Sequence, residues 1–128
     1  VKKREMNNLS FFMTDIFLKS KNIEYLFNKS LKDCISSSKL RFDFYLPDYN
    51  ICIEFDGKQH FEPCEQFGGM KEFEKLKIRD NIKNEWCKVN DIKLLRLNYS
   101  QKCNEIENIV TEFIIENEPK PGGDTNWN

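Results

Sequence analysis

Four side chains of this sequence have the types and spacing for acid–base or metal chemistry: Asp43, Glu54, Asp56 and His60. They lie within RFDFYLPDYNICIEFDGKQHF, Arg41 to Phe61. Arg41 to Leu46 alternates in character, Ile51 to Asp56 does the same, and Pro47-Asp48-Tyr49-Asn50 between them has turn chemistry. Alternation puts Arg41, Asp43 and Tyr45 on one face and Phe42, Phe44 and Leu46 on the other. In the second strand Cys52, Glu54 and Asp56 share a face, and Ile51, Ile53 and Phe55 share the opposite one. A hairpin symmetric about Asp48-Tyr49 sets Asp43 opposite Glu54 and Arg41 opposite Asp56. Cross-strand neighbours lie only about 4.5–5.5 Å apart, and like charges there destabilise a sheet. Two carboxylates kept in opposition call for something positive between them. Mg²⁺ is the leading candidate, because it is typically held by one or two carboxylates plus substrate phosphates. The plainer alternative is a surface hairpin with a polar wet face, on which Arg41 neutralises Asp56.

His60 is the only histidine in the chain, with three residues between it and the end of the second strand. Beside a carboxylate cluster it is a candidate proton acceptor. Hydrolysis of a phosphodiester needs a metal to offset developing charge and acidify water, together with such an acceptor. Asp43 and Glu54 would hold Mg²⁺ or Mn²⁺, with Asp56 as a third ligand or as the group that orients a metal-bound water. Arg79 and Lys83 stand at i, i+4 spacing on one side of an expected helix and could grip backbone phosphate. The alternative for them is a solvated helix face, with Arg79 paired to Glu74 or Asp80. Gln59 reads as a loop brace, and Phe61, Phe67 and Trp86 as core rather than base-stacking residues.

Positioning these groups requires a compact fold, and the composition permits one. A chain of 128 residues, 39% hydrophobic with eleven Phe, can bury a single core. The formal charge of −1 supplies no global field toward a polyanion, but Lys71 to Arg96 is net +3 and the acid gathers near the end. Five cysteines without a C-x-x-C pair argue against a zinc site of standard spacing and against a disulfide framework. A reducing, intracellular compartment is expected, and no apolar run suggests a membrane partner. A first residue of Val fits removal of an initiator Met or a start within a longer protein.

Periodicity predicts a helix over about Met6 to Ser20 with Leu9, Phe12, Met13, Ile16 and Phe17 as its apolar stripe. A short strand follows over Ile23 to Ser30, then a polar connection from Leu31 to Lys39, then the hairpin. Gly57 to Gly69 reads as a loop. A second helix is expected from Met70 to Asn90 with Phe73, Leu76, Ile82, Trp86 and Val89 inward, then a strand over Ile92 to Asn98 and a third helix over Glu105 to Asn117. The order α-β-β-β-α-β-α places the last strand parallel to one in the meander. The expected fold class is α/β: one domain over 1–118 with a mixed four-stranded sheet flanked by helices, and a tail over 119–128.

This order, together with Asp43, the stretch IEFDGKQHF, the FGG before the second helix, RDNIKNEWC and the strand IKLLRLNY, resembles the PD-(D/E)xK nuclease superfamily, with its restriction-endonuclease-like αβββαβ core. The likeness is greatest to its very-short-patch-repair-like branch, which includes homing endonucleases and many phage or viral proteins. The resemblance implies a metal-dependent DNA endonuclease or nickase with Asp43 and Glu54 as metal ligands. It implies Asp56 in the place of the family lysine, His60 as base or charge stabiliser, and Asp80 as the aspartate that orients it. DNA is the implied partner, with a fused or separate DNA-recognition domain and room for a homodimer, in the cytoplasm of a bacterial, phage-infected or virus-infected cell. The sequence departs from the pattern in lacking the usual first-helix glutamate, with only Glu5 and Asp15 nearby, and in lacking the repair enzyme's zinc cluster. A catalytically inactive DNA-binding or assembly module of the same fold is the alternative.

Overall fold

The structure, a computed structural model, describes residues 2–118, with side chains from Leu9 onward except that of Cys103; the expected tail lies outside them. Helix α1 (Lys2–Ser20) leads into strands β1 (Leu26–Ile35), β2 (Lys39–Leu46) and β3 (Ile51–Asp56). Two 3₁₀ turns (Lys58–His60 and Glu65–Phe67) precede helix α2 (Gly69–Val89), strand β4 (Lys93–Asn98) and helix α3 (Cys103–Glu116). The sheet order is β1-β2-β3-β4. The first three strands form an antiparallel meander, and β4 runs parallel to β3 after the α2 crossover. The result is the α/β domain with a mixed four-stranded sheet, flanking helices and a C-terminal helix that the element order predicts.

Each face of the sheet carries its own core. Phe44, Leu46, Ile51, Ile53 and Phe55 pack against Phe17 and Leu18 of α1 and Ile106, Val110 and Ile114 of α3. On the other face Leu40, Phe42, Cys34 and Cys52 pack with Cys87 of α2, flanked by Ile82 and Trp86. Among the described residues Cys34, Cys52, Cys64 and Cys87 are free thiols.

Three expectations are corrected. Leu9, Phe12 and Ile16 of the expected α1 stripe are exposed, while Thr14, Phe17 and Leu18 are buried. Two stripes of similar spacing compete there. Phe11 decides between them by packing among Phe27, Phe44 and Phe55, and Thr14 can go inside because its hydroxyl donates to the Ser10 carbonyl at 2.9 Å. Likewise Val89 of α2 is exposed, its expected inward place being taken by Cys87.

The second correction lengthens β1. The polar run expected as a connection continues the strand to Ile35, through an irregular register between Ser30 and Ile35 with Asp33 at φ 67. Cys34 buried beneath it and the Trp86 indole N–H donating to the Lys32 carbonyl at 3.0 Å hold the polar segment in place. Thirdly, Phe42 does not share a face with Phe44 and Leu46. It lies against Trp86 and under Lys83 on the α2 side. The alternation of β2 slips at Asp43.

Helix α2 starts at a sharp corner. Gly68 has φ 93 and Gly69 φ 66, and a Cβ on Gly68 would come within 2.1 Å of Glu72 Cγ. Only glycine adopts that backbone without strain. Gly68→Ala is therefore expected to lower stability by about 1–3 kcal/mol, as read from the denaturant midpoint.

Candidate active site

The hairpin pairs Phe44 with Ile53, Tyr45 with Cys52 and Leu46 with Ile51, which is the register that symmetry about the turn predicts. One step beyond, side chains take over from the backbone. The Asp43 N–H donates to Glu54 Oε2 at 3.2 Å, and the Phe55 N–H donates to Asp43 Oδ2 at 2.8 Å. The two strands are thus fastened at this level by the two carboxylates themselves. Asp43 is half-buried and Glu54 is buried, 4% exposed.

The positive group facing Glu54 is Lys83 of α2. Its Nζ lies 3.1 Å from Glu54 Oε2 and 5.2 Å from the centre of the Phe42 ring. Burial foremost, then the charge of Asp43, pushes the Glu54 carboxyl up to about 7, against the opposing pull of Lys83 and Arg96. A carboxyl raised in the folded state binds its proton more tightly there than in the unfolded chain. Its contribution to stability is full below about 4.5 and is lost as pH rises to about 7. Asp56, also raised, acts in the same direction. The protein is expected to melt at a lower temperature at pH 8 than at pH 5, and Glu54→Gln should remove a share of that fall on the order of 3 kcal/mol. Parallel melting curves of the two proteins across that range check it.

Asp56 sits in a second cluster. Arg96 of β4 donates to Asp56 Oδ1 at 2.9 Å and Oδ2 at 3.3 Å. Arg96 also reaches the Asp80 carboxylate at 3.6 Å and donates to the side-chain Oδ1 of Asn84 at 3.1 Å. His60 is buried with Nδ1 3.0 Å from Asp80 Oδ2 and 3.5 Å from Asp56 Oδ1. Facing two acceptor oxygens, Nδ1 carries the hydrogen. Nε2 is buried and has no hydrogen-bond partner among the described residues. Burial alone would raise Asp80, but its hydrogen bond to His60 and the neighbouring positive groups outweigh that and lower it. Lys77 Nζ donates to the His60 carbonyl at 2.9 Å and pins the turn that carries the imidazole.

Asp43 and Glu54 therefore adjoin as expected, and Asp80 touches His60. Both Asp56 oxygens accept from Arg96, and Arg41, which the surface-hairpin reading assigned to Asp56, donates instead to the Asn28 carbonyl at 3.0 Å. Lys83, expected on a phosphate-gripping face, pairs with Glu54. Arg79 lines a cavity of about 170 Å³ with Gln59, Phe67 and Phe73. Phe61 is 48% exposed and lies against Tyr99, so it is not core. Asp15, considered for the missing glutamate, accepts the Tyr25 hydroxyl and pairs with Lys19.

The donor chemistry of Asp43 and Glu54 fits a hard divalent cation that takes two carboxylates and completes its sphere with water and phosphate oxygens. Among the described residues no group of three or more His, Cys, Asp or Glu side chains is arranged to hold a metal ion. Sequence reasoning missed the roles of Arg96 and Lys83. Arg96 alternates with Leu95 and Leu97 in β4, and that polar position in an apolar strand was the available signal.

No family model matches the chain and no solved structure matches it. The chain is similar to "Uncharacterized protein 307L" of Invertebrate iridescent virus 6, 31% identical over 86 residues, covering 59% of this chain and 44% of that protein. The chain thus spans less than half the length of the curated relative it matches. Among the described residues no helix is long and apolar enough to cross a membrane.

Proposed function

We propose that this domain is a metal-dependent DNA endonuclease or nickase of the PD-(D/E)xK type, acting inside a bacterial, phage-infected or virus-infected cell. The observation that supports it most is the Asp43–Glu54 pair. Two carboxylates stand together where the strand ladder stops, and one of them is held near neutrality by burial and by the other. Such a pair is costly to fold and has a use if Mg²⁺ or Mn²⁺ binds between the two. A cation there supplies charge neutralisation for the phosphate and a more acidic water. The chain's own groups do the rest. Asp80 fixes the His60 ring and its tautomer, leaving Nε2 to take or give the proton. Asp56 and Arg96 hold Asp80 in place behind it. Lys83, seated over Phe42, adds fixed positive charge beside Glu54. Sequence recognition would come from a fused or separate domain, or from a second copy of the chain.

Incubation with supercoiled plasmid and Mg²⁺ or Mn²⁺, with EDTA as control, tests this reading. Metal-dependent appearance of nicked or linear DNA is the expected result, and intact plasmid under all conditions would overturn it. His60→Ala is expected to lose most of the nicking activity while keeping its Mn²⁺ affinity, measured by calorimetry. Nicking by that variant at the wild-type rate would return His60 to a purely structural role.

A specific observation favours a second reading. Lys83 already neutralises Glu54, as it would in a nuclease-fold module that binds DNA or assembles with partners without cutting. In that case DNA would be retained in a binding assay and never nicked.

A further inference from the structure

The end of the β1–β2 hairpin is a ribbon of its own. Strand β3 pairs with β2 only from Phe44 to Leu46, whereas β1 follows β2 down to Lys39. The part of β2 before Asp43 therefore has β1 as its only ladder partner. It is braced from behind by α2, through Phe42 on Trp86 and through the Trp86 indole bonded to the Lys32 carbonyl. Between Leu26 and Phe42 this ribbon carries Lys29, Lys32, Lys39 and Arg41 against one acid, Asp33. All four cations are exposed. Among the described residues none of them is in an ion pair, and Arg41 donates only to the Asn28 carbonyl. The chain as a whole is net −1, so this concentration is local.

Its place matters as much as its charge. Lys29 pairs with Phe42 and Ser30 with Arg41, so two of the cations stand within two residues of Asp43 in the register. From Lys39 to Asp43 the ribbon advances about 13 Å at some 3.3 Å per residue. That matches the axial rise of about four phosphates of one duplex strand. A braced, twisted two-stranded ribbon is also a shape that the major groove admits.

We propose that this ribbon is the DNA-docking element of the domain, gripping the phosphate backbone of duplex DNA and laying it across Asp43 and Glu54. The choice of partner rests on the nuclease reading; the charge and the geometry stand independently of it. Lys83 and Arg79 are not needed for this contact. The ribbon positions the backbone, and base readout lies elsewhere.

The test is binding of the whole chain to a short fluorescent duplex by anisotropy, in EDTA so that no metal-dependent cleavage intrudes, over a series of salt concentrations. Each phosphate contact contributes about −0.9 to the slope of log K against log salt. The variant Lys29→Gln/Lys32→Gln/Lys39→Gln/Arg41→Gln should bind at least tenfold more weakly and show a slope shallower by about 3. Lys32→Gln and Lys39→Gln singly, both at exposed positions, should each remove about 1. These single variants keep the result readable if the fourfold one folds poorly. A control of equal charge change, Lys21→Gln/Lys71→Gln/Lys88→Gln/Lys93→Gln, should leave the slope nearly unchanged. Unaltered slopes in the ribbon variants, an equal loss in the control, or tighter binding to the single strand than to the duplex would each overturn the proposal. Its failure is separable from failure of the nuclease reading: wild-type protein that nicks plasmid while the ribbon variants keep their slope removes only the ribbon, and salt-sensitive ribbon binding without nicking removes only the chemistry.

Discussion

Asp43→Asn is expected to abolish plasmid nicking while leaving the domain folded. The carboxamide oxygen can still accept the Phe55 N–H that Asp43 Oδ2 accepts now, so the splice between β2 and β3 survives. What disappears is one of the two negative charges that a divalent cation would bridge. Loss of an outer partner of a metal ligand typically costs about 10–100-fold in affinity or activity. Loss of one of two ligands should therefore cost about a hundredfold or more. The same substitution removes the repulsion that helps to raise Glu54, so the drop in stability with rising pH should shrink. Nicking assays, Mn²⁺ calorimetry and melting curves read the three effects separately. Wild-type nicking by the variant would take Asp43 out of the metal site.

The largest stability effect is expected at Arg96. Its guanidinium holds both oxygens of Asp56 and reaches the carboxylate and, at 3.3 Å, the carbonyl of Asp80. Asp56 and Asp80 are 7% and 13% exposed at their side chains. Arg96→Leu leaves these carboxylates facing one another with only His60 between them. Removing one partner of a buried pair costs about 3–5 kcal/mol, because the remaining charge has neither water nor counter-charge. Arg96→Leu/Asp56→Leu should recover a good part of that loss, which a double-mutant cycle would measure. The contrast is Lys58–Glu62, where both side chains are about half exposed and deletion should change stability by under about 1 kcal/mol. A similarly small loss at Arg96 would place it among such surface pairs.

The hairpin register was legible because alternation and the PDYN turn are local and agree with each other. Element order and the parallel β3–β4 pair followed from the same local signals plus the handedness and length of a crossover. The slip at Asp43 was not legible: alternation counts residues, whereas here two carboxylates take over backbone hydrogen bonds, and no periodicity records that. The inner face of α1 was ambiguous, since Leu9-Phe12-Ile16 and Phe11-Thr14-Leu18 suit a helix equally and only the sheet's aromatic cluster chooses. Arg96 and Lys83 were out of reach for a different reason. Their partners lie 40 and 29 residues away, across the crossover, where sequence spacing carries no information.

That separation has a kinetic consequence. The hairpin β2–β3 closes a short loop and can form early, but Lys83 and Arg96 meet Glu54 and Asp56 only once α2 has packed and β4 has docked. Until then the carboxylates remain hydrated, and no desolvation is incurred. Interactions completed only after the folding transition state act on the rate of unfolding rather than of folding. In stopped-flow experiments Arg96→Leu should steepen the loss of the native state with the refolding arm nearly unmoved, whereas changes in the Pro47–Asn50 turn should slow refolding. The charged centre of this domain would then be its latch, the last part to close and the first to govern how long the closed form lasts.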